Sequence, residues 1–374
     1  MNILMTLSNP FTHDPRVYNE AQSLIDAGHK VTVFAWDRKN KNKKKELFDD
    51  IKIIRSSNTS FMNLIPYDIF RLFFWWKKAV KEIELIHDEN HFDVIHCHNL
   101  DTLPIGVSLK KKFGLPLVYD AHEIWGYMVS RDLPKVWANY YLFKEKRLMK
   151  YVDKIVTVNK PLKNYFSKIS HKPITLVMNA KPLMGKKYIP SNNEMFTLLF
   201  IGNLSKSRFL HELVDVVSEF SDIRCIIGGM GSKKDYVEKL KDKCKKANNV
   251  QFIGKVPIHE VLPMTQKADV IVCMTNPTDS NNSIATANKQ FEAMVSGRPI
   301  ICTKDTYPGE FTEKYNVGLT CKYEKNDLKN AIIKLKEYTN LREQLGRNAL
   351  NKAVEEFNWK KQEKKLVDLY ENLC

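Results

Sequence analysis

A short basic segment that follows an apolar run has the side chains to bind a diphosphate. The apolar run at 196–202 leads into Gly202 and Asn203, and Lys206 and Arg208 come shortly after it. A helix that begins near Arg208 would add free backbone amides to the guanidinium, and both favour negative charge. The alternative is a solvated arginine beside a glycine turn.

A second group of candidate side chains stands at the start of a later helix. The segment 288–297 reads NKQFEAMVSG, in which Asn288 is expected to cap the helix and Gly297 to end it. Lys289 and Glu292 fall on its first turns. A carboxylate in this place accepts hydrogen bonds from a ribose diol. The alternative is an exposed helix glutamate.

Three histidines accompany two predicted strands. His122 comes directly after the strand at 116–120, where its ring could bond a hydroxyl or stabilise charge near a leaving group. His96 and His98 fall on one face of the strand near 93–97, which is a spacing that suits a metal ion. No third or fourth ligand stands beside them, so we predict no metal site. A structural role is the alternative for each histidine.

A glycine-rich turn offers a further place for a ligand to approach the backbone. Gly228, Gly229 and Gly231 follow a predicted strand and precede a helix, which indicates either a phosphate or sugar contact or a tight turn. The dinucleotide fingerprint needs a glycine where Lys234 stands, and no P-loop signature occurs. These facts disfavour an NAD-dependent oxidoreductase.

Strands and helices alternate in two series along the chain. The first strands are predicted at 2–7, 31–36, 51–55, 93–97, 116–120 and 154–159. The second strands are predicted at 196–202, 224–228, 250–254, 269–274 and 299–303. Alternation of this kind is typical of parallel, doubly wound sheets, so we predict an α/β protein with two Rossmann-like domains. The expected boundaries are 1–180, 195–355 and a closing helix at 356–374.

Composition narrows the class of protein. The 374 residues are 43% hydrophobic and 27% charged, and the net charge of +16 favours acidic partners such as nucleotides or anionic membranes. The alternative is a set of solvated lysine-rich faces. An odd number of cysteines without a C-x-x-C pair indicates a reduced, cytoplasmic protein. The N-terminus does not have the pattern of a signal peptide.

An aromatic and basic stretch at 70–83, FRLFFWWKKAVKEI, has two interpretations. One is a core helix, and the other is an element that faces a lipid surface. The loop 38–45, RKNKNKKK, is either solvated or a polybasic patch against anionic lipid. No recognised RNA-binding motif is present, so no nucleic-acid partner is expected.

Taken in order, these segments resemble the retaining GT-B glycosyltransferases of the glycosyl transferases group 1 type. DPRVYNEAQSLIDAGHKVTVF, HCHNLDTLP, VYDAHEIW and VDKIVTVN resemble landmarks of the first domain. FIGKV, ADVIVCM and NKQFEAMVSGRPII resemble the donor domain, and FNWKKQEKKLVDLY resembles the closing helix. The resemblance implies two Rossmann-like domains that face a central cleft, with the C-terminal helix crossing back to the first.

The resemblance also implies roles for individual residues. Arg208 would bind the diphosphate, Glu292 the ribose hydroxyls, and His122 would face the transferred sugar. The helix N-terminus at 288–292 would point amides at the phosphates. The expected donor contacts are Asn203, Lys206, Gly229, Gly254, Val256, Asn288, Lys289 and Glu292, with Gly254 and Val256 against the base. The expected acceptor-side residues are His13, Asp14, Arg16 and His98.

Two departures from the family pattern concern the substrates. The family often has a second glutamate eight positions before Glu292, where this chain has Ile284, and the motif resembles a subgroup that reads N-K-x-F-E-x-M. The backbone or Asn281, Asn282 or Asn288 would then take over the sugar contact. The glycine pair after the first strand is replaced by SNPFTHDPR at 8–16, so the acceptor contacts are expected to differ.

The function implied is transfer of a hexose-type sugar from a UDP- or GDP-sugar to a hydroxyl acceptor with retention. No metal or other cofactor is expected, and the acceptor would be lipid-linked or a polysaccharide. The protein would be cytoplasmic, either free or peripheral at the membrane face. The alternatives are a GT-B nucleotide-sugar epimerase or hydrolase, and a non-catalytic basic protein that binds membrane or nucleic acid.

Overall fold

Two largely parallel β-sheets, one in each half of the chain, form the framework of the protein. The computed structural model describes residues 1–12 and 14–373. It divides them into one unit of Met1–Met178 with the residues from Gln362 onward, and a second unit of Asn179–Lys361. The prediction of two doubly wound parallel sheets is confirmed.

The first unit has an eight-stranded sheet in the order β3-β4-β2-β1-β5-β6-β7-β8. All neighbouring pairs are parallel except β3 and β4. Its strands are Asn2–Leu7 (β1), Lys30–Asp37 (β2), Lys45–Phe48 (β3), Ile51–Ser57 (β4), Val94–His98 (β5), Leu117–Ala121 (β6), Lys154–Thr157 (β7) and Ile174–Leu176 (β8). Its helices are Pro15–Asp26 (α1), Ser60–Leu64 (α2), Asp68–Asn90 (α3), Leu103–Phe113 (α4), Trp125–Val129 (α5), Lys135–Leu148 (α6) and Lys160–Ile169 (α7).

The second unit has a six-stranded, all-parallel sheet in the order β11-β10-β9-β12-β13-β14. Its strands are Phe196–Asn203 (β9), Ile223–Met230 (β10), Val250–Gly254 (β11), Val270–Cys273 (β12), Ile300–Thr303 (β13) and Gly318–Cys321 (β14). Its helices are Leu210–Ser218 (α8), Lys234–Lys245 (α9), Ile258–Lys267 (α10), Asn288–Val295 (α11), Tyr307–Tyr315 (α12), Lys325–Glu337 (α13) and Thr339–Glu355 (α14). The last helix, α15 (Trp359–Glu371), starts in this unit and belongs to the first from Gln362 onward.

Local sequence explains how α1 reaches its place beside the first sheet. The Asp14 side chain accepts a hydrogen bond from the Val17 amide at 3.3 Å, and a proline follows as the first helical residue. Val17, Ala21 and Leu24 are completely buried on one face of the helix. The helix therefore packs by an apolar face, as its spacing predicts.

The structure differs from the predicted elements where tertiary pairing outweighs local pattern. The end of the basic loop continues into β3, an edge strand that pairs antiparallel with β4. Asn288 is not the cap of α11 but its first residue, and Ala287 precedes it without a side-chain cap. The sequence pattern also missed α12, whose cap is Thr306, and the β14 strand that follows it.

Candidate active site

The second unit contains a cavity of about 360 Å³ at the carboxyl ends of β9 and β12. The strand order reverses between these two strands, which is where doubly wound sheets bind ligands. The residues predicted from the sequence that line this cavity are Asn203, Arg208, Asn282, Asn288, Lys289 and Glu292. A larger depression of about 1060 Å³ lies at the amino ends of the strands and contains none of them. The cavity at the carboxyl ends is therefore the candidate ligand site.

Two cations give this cavity a positive field. Arg208 lies in the turn between β9 and α8, and the Lys289 Nζ lies 4.1 Å from the centre of the Phe200 ring. Burial lowers the pKa of Lys289. A hydrogen bond with Cys302, together with the charges of Lys289 and Arg208, lowers the pKa of the buried Cys273 to about 7. A cavity with this field suits an anionic ligand.

Helix α11, which carries Lys289, forms one wall of the cavity. Its N-terminus, which favours negative charge, lines the cavity through Ala287 and Asn288. Glu292 lies one turn further along, and its Oε1 is 3.7 Å from the Lys181 Nζ. The carboxylate is thus held at the cavity wall, within reach of a hydroxyl-bearing group that would compete for it.

The other residues predicted to bind the donor lie outside this cavity. Gly229 is required by the sheet, because a Cβ there would meet the Gly202 carbonyl oxygen at 1.8 Å. Gly254 adopts a positive φ of 68° at the end of β11, and the Val256 side chain packs over Gly228. Lys206 lines a separate depression of about 740 Å³ together with other lysines, Lys233 among them.

In the first unit, His122 lies at the carboxyl ends of β5 and β6. Its Nε2 is 2.8 Å from the Asp120 Oδ2, and its backbone amide donates a hydrogen bond to the Asn99 Oδ1 at 3.0 Å. The His122 side chain is about one-fifth exposed, whereas Asp120 is completely buried. Asp120 and Asn99 therefore hold His122 on its buried side, and part of the ring is exposed to solvent.

Behind His122 lies a buried cluster of charged and polar side chains, which we call the polar core. Arg16 donates hydrogen bonds to both oxygens of Asp120 and forms an ion pair with Glu20 at 2.8 Å. The His98 Nδ1 is 3.2 Å from the Asp120 Oδ2, and burial lowers the pKa of His98 to about 3. His96 completes the cluster, so it draws on α1, β5 and β6.

Helix α15 contributes to the polar core as well. The hydroxyl of Tyr370 lies 2.6 Å from the His96 Nδ1, and both side chains are completely buried. No pattern in the sequence predicts that Tyr370 forms a hydrogen bond with His96, which lies far away in the chain.

Three of the predicted acceptor-side residues have defined contacts in the first unit. Asp14 caps α1, while Arg16 and His98 are buried in the polar core. His13 lies outside the described residues. Sequence reasoning missed Glu20 and the role of Asp120, although the segment YDAHE placed Asp120 two positions from His122.

The fold supplies the ligand types that the sequence did not place beside the two histidines. Glu20, His96, His98 and Asp120 have possible metal-ligand atoms that all lie within 4.8 Å of one another. Two features oppose a shared ion in this arrangement. The imidazole rings are nearly parallel, at 19° with centres 4.5 Å apart, so their in-plane lone pairs do not converge on one point about 2 Å from both. The Arg16 guanidinium already occupies Asp120 and Glu20.

The aromatic stretch at 70–83 has a buried face and an exposed one. Leu72, Trp75 and Ala79 are buried, and the Trp75 ring stacks on Trp36 with centres 4.7 Å apart. Exposed apolar side chains of α2, α3 and α6 and the segment between α2 and α3 form what we call the aromatic patch: Phe61, Leu64, Tyr67, Phe74, Val136, Tyr140 and Phe143. No helix in the described part of the chain has the length and apolar character to cross a membrane.

A chain of ring contacts connects the two halves of the aromatic patch. Phe70 meets Tyr67 on one side and Trp137 of α6 on the other, with ring centres 6.1 and 5.5 Å apart. Lys144 lies 3.6 Å from the centre of the Trp76 ring, so the patch also includes a cation. The core interpretation and the surface interpretation of this stretch therefore apply to different faces of α3.

Curated relatives agree with this architecture. The chain is 25% identical over 243 residues to an uncharacterized glycosyltransferase of Methanocaldococcus jannaschii, covering 61% of this chain and 60% of the relative. It is 24% identical over 313 residues to the alpha-monoglucosyldiacylglycerol synthase of Acholeplasma laidlawii, covering 75% and 74%. The match thus spans less than two thirds of the first relative and about three quarters of the second.

Solved structures show the same fold over almost the whole chain. Sucrose-phosphate synthase from Thermosynechococcus elongatus superimposes with a TM-score of 0.80 at 18% identity, covering 100% of this chain and 99% of that one. Anabaena HepE in complex with UDP and glucose superimposes with a TM-score of 0.74 at 15% identity, covering 99% of both chains. These likenesses establish a GT-B fold.

Two family assignments cover the two units in turn. Residues 16–180 match Glycosyltransferase Family 4, and residues 186–352 match Glycosyl transferases group 1. The second match contains all six predicted residues that line the cavity. The two matched segments, which together span most of the chain, are therefore similar to glycosyltransferase families, and the chain has a GT-B fold.

Proposed function

We propose that the protein transfers a hexose-type sugar from a nucleoside diphosphate sugar to a hydroxyl acceptor with retention of the anomeric configuration. The observation that carries this proposal is the cavity at β9 and β12. Arg208 and the N-terminal turn of α11, which includes Lys289, line this cavity, and Glu292 lies one turn further along the helix. Two cations suit a diphosphate, and the carboxylate suits a ribose diol.

The chemistry of the transfer follows from this charge distribution. As the bond between the anomeric carbon and the diphosphate oxygen breaks, negative charge builds on the diphosphate and the sugar becomes oxocarbenium-like. Arg208 and Lys289 stabilise that charge from fixed positions, which costs little reorganisation during the reaction. The acceptor hydroxyl attacks from the same face and gives its proton to a phosphate oxygen. No protein nucleophile takes part, and the proposal includes no metal ion.

The donor proposed is a UDP- or GDP-sugar. HepE, which shares the fold, was crystallised with UDP and glucose, and this supports a uridine nucleotide as the first choice. Ile284 stands where the family often has a sugar-binding glutamate. We assign the sugar contact to the neighbouring backbone and to Asn282 or Asn288, both of which line the cavity.

The acceptor proposed is a lipid-linked sugar or a glycolipid at an anionic membrane face. The relative from Acholeplasma laidlawii is named for a glycolipid product, and the aromatic patch offers apolar side chains beside lysines. Apolar rings with neighbouring cations are the combination that binds interfacial lipid.

A thermal-shift panel of UDP, GDP, ADP and their sugar forms, without added metal, tests the donor site. A nucleotide that binds only the folded protein adds about 2.7 kcal/mol at one hundred times its Kd, so the matching base should raise the Tm clearly. Absence of a shift with every nucleotide would contradict the proposal. Release of the nucleotide without any acceptor would instead indicate a hydrolase, and isomerised sugar would indicate an epimerase.

A further inference from the structure

His122 is fixed on two sides by the elements that carry it. Its Nε2 faces the Asp120 Oδ2 at 2.8 Å, and Asn99 holds its backbone amide. The other ring nitrogen, Nδ1, lies 3.5 Å from the Asn99 Nδ2, which is too far for a strong hydrogen bond. The Asp120 contact therefore sets the orientation of the ring, and Nδ1 is the nitrogen that remains for a ligand.

Asp120 is itself held rigidly. The Arg16 Nη2 donates to its Oδ1 at 2.9 Å, and the Arg16 Nε donates to its Oδ2 at 3.2 Å. Arg16 also donates to the Val177 carbonyl oxygen at 2.8 Å, so the guanidinium is anchored in the first unit beyond β6. Paired contacts of a planar guanidinium fix both the position and the plane of a carboxylate.

Two carboxyl groups share the Arg16 guanidinium, and the surroundings separate their charge states. Burial would raise the pKa of Asp120, yet the charge of Arg16 and the hydrogen bond from His122 hold it well below its usual range. Burial raises the pKa of Glu20 well above its usual range, and the charge of Asp120 adds to that shift. Asp120 is thus the more acidic of the two carboxyl groups and the one that is ionised beside His122.

We propose that Asp120 is the positioning residue of His122, holding the ring as the Nε2–H tautomer so that Nδ1 accepts a hydrogen bond from a substrate hydroxyl. A neutral imidazole has one donor and one acceptor nitrogen, and an ionised carboxylate can only accept. The proton therefore stays on Nε2. The part that concerns the substrate rests on the proposed function, whereas the tautomer is a property of the protein alone.

Glu20 supplies a matched control, because it belongs to the same polar core but makes no contact with His122. Asp120→Asn removes the ionised acceptor, so its amide can donate to Nε2 and favour the Nδ1–H form. Glu20→Gln replaces the other carboxyl that contacts Arg16 by a neutral amide of nearly the same shape. If the polar core had a purely structural role, Asp120→Asn and Glu20→Gln would affect His122 to the same extent.

The test is the ¹⁵N spectrum of histidine-labelled full-length protein, with His122 assigned from its absence in His122→Gln. The wild type and Glu20→Gln should show a proton on Nε2, and Asp120→Asn should show a shift to Nδ1. A wild-type proton on Nδ1 would overturn the proposal even if Asp120→Asn does not fold. An equal shift of the proton in Glu20→Gln would also overturn the proposal.

The kinetic arm separates this proposal from the proposed function. Once a donor and acceptor are known, Asp120→Asn should lower kcat about a hundredfold, the cost of a misplaced catalytic group, with a donor KM within a few-fold of wild type. Glu20→Gln should keep its kcat. A tautomer switch without a change in kcat would overturn the role in transfer. The expected spectra in a protein that transfers no sugar would contradict the proposed function alone.

Discussion

At the scale of single residues, the cavity of the second unit is defined by where its charges are fixed. Arg208 lies in a short turn between a strand and a helix, and Lys289 lies in the first turn of α11. Glu292, at the wall of the same cavity, forms an ion pair with Lys181. The two cations give the cavity a positive field that suits an anionic ligand.

Arg208→Ala should reduce turnover about a hundredfold or more, because one preorganised contact to developing charge is worth that much. Arg224→Ala is the matched control, since Arg224 is exposed on β10 and donates to Gln251. Turnover would be measured with the donor found in the thermal-shift panel. Near-normal turnover of Arg208→Ala would remove this residue from the site.

At the scale of elements, α3 shows how one helix serves two environments. Trp75 is buried against Trp36, so replacing it tests the core and not a surface. Phe61 and Phe74 lie at the exposed side, with ring centres 5.2 Å apart, and Phe143 of α6 extends the same patch. Only these exposed rings can report on lipid contact.

The triple variant Phe61→Ser, Phe74→Ser and Phe143→Ser should bind anionic vesicles about tenfold or more weakly, because interfacial binding scales with buried apolar area. Vesicle sedimentation with phosphatidylglycerol measures the effect. The control replaces three exposed apolar residues of the second unit by Ser: Ile189, Ile258 and Tyr338. Equal binding by both triple variants would contradict the membrane assignment.

A second element-scale effect links α6 to β6 and α7 through a buried carboxyl. Glu145 accepts hydrogen bonds from the hydroxyls of Tyr119 at 2.6 Å and Tyr165 at 3.1 Å. Burial raises its pKa from 4.5 to about 7, although both tyrosines lower it. The folded protein holds this proton more tightly than the unfolded chain. The contribution of the proton to the free energy of unfolding is therefore full below pH 4.5 and is lost as pH rises through 7.

Glu145→Gln should remove this pH dependence, since the amide resembles the protonated acid. The stability of the variant relative to wild type should rise by about 3 kcal/mol from pH 4.5 to above 7, at about 1.4 kcal/mol per pKa unit. Unfolding by denaturant across this pH range measures it. Glu89→Gln, at an exposed site on α3, is the control and should show no such trend. A flat difference for Glu145→Gln would refute a raised pKa.

At the scale of the whole molecule, the basic excess is distributed over sites with different roles. The net charge is +16, and both units carry lysine-rich surface. Lys289 faces a ligand cavity, Lys144 covers an aromatic ring, and Arg16 is buried in an ion pair. A single electrostatic partner therefore does not account for the charge.

The sequence by itself determined the two sheets and much of the cavity in the second unit. Strand and helix periodicities are local, and parallel strands require crossovers, so the alternation indicates a doubly wound sheet. Ligand-contacting side chains then follow directly after strands. Arg208 and Glu292 could be predicted in this way because each lies next to a strand end or a helix start.

Tertiary structure alone decided the polar core and the reasons for several motif residues. Arg16 meets Asp120 across 104 positions, and Tyr370 meets His96 across 274. Gly229 is a glycine because the neighbouring strand comes too close for a Cβ. Such contacts depend on strand order, register and packing between distant segments. A local pattern does not encode them, so only the folded chain shows which side chains are brought together.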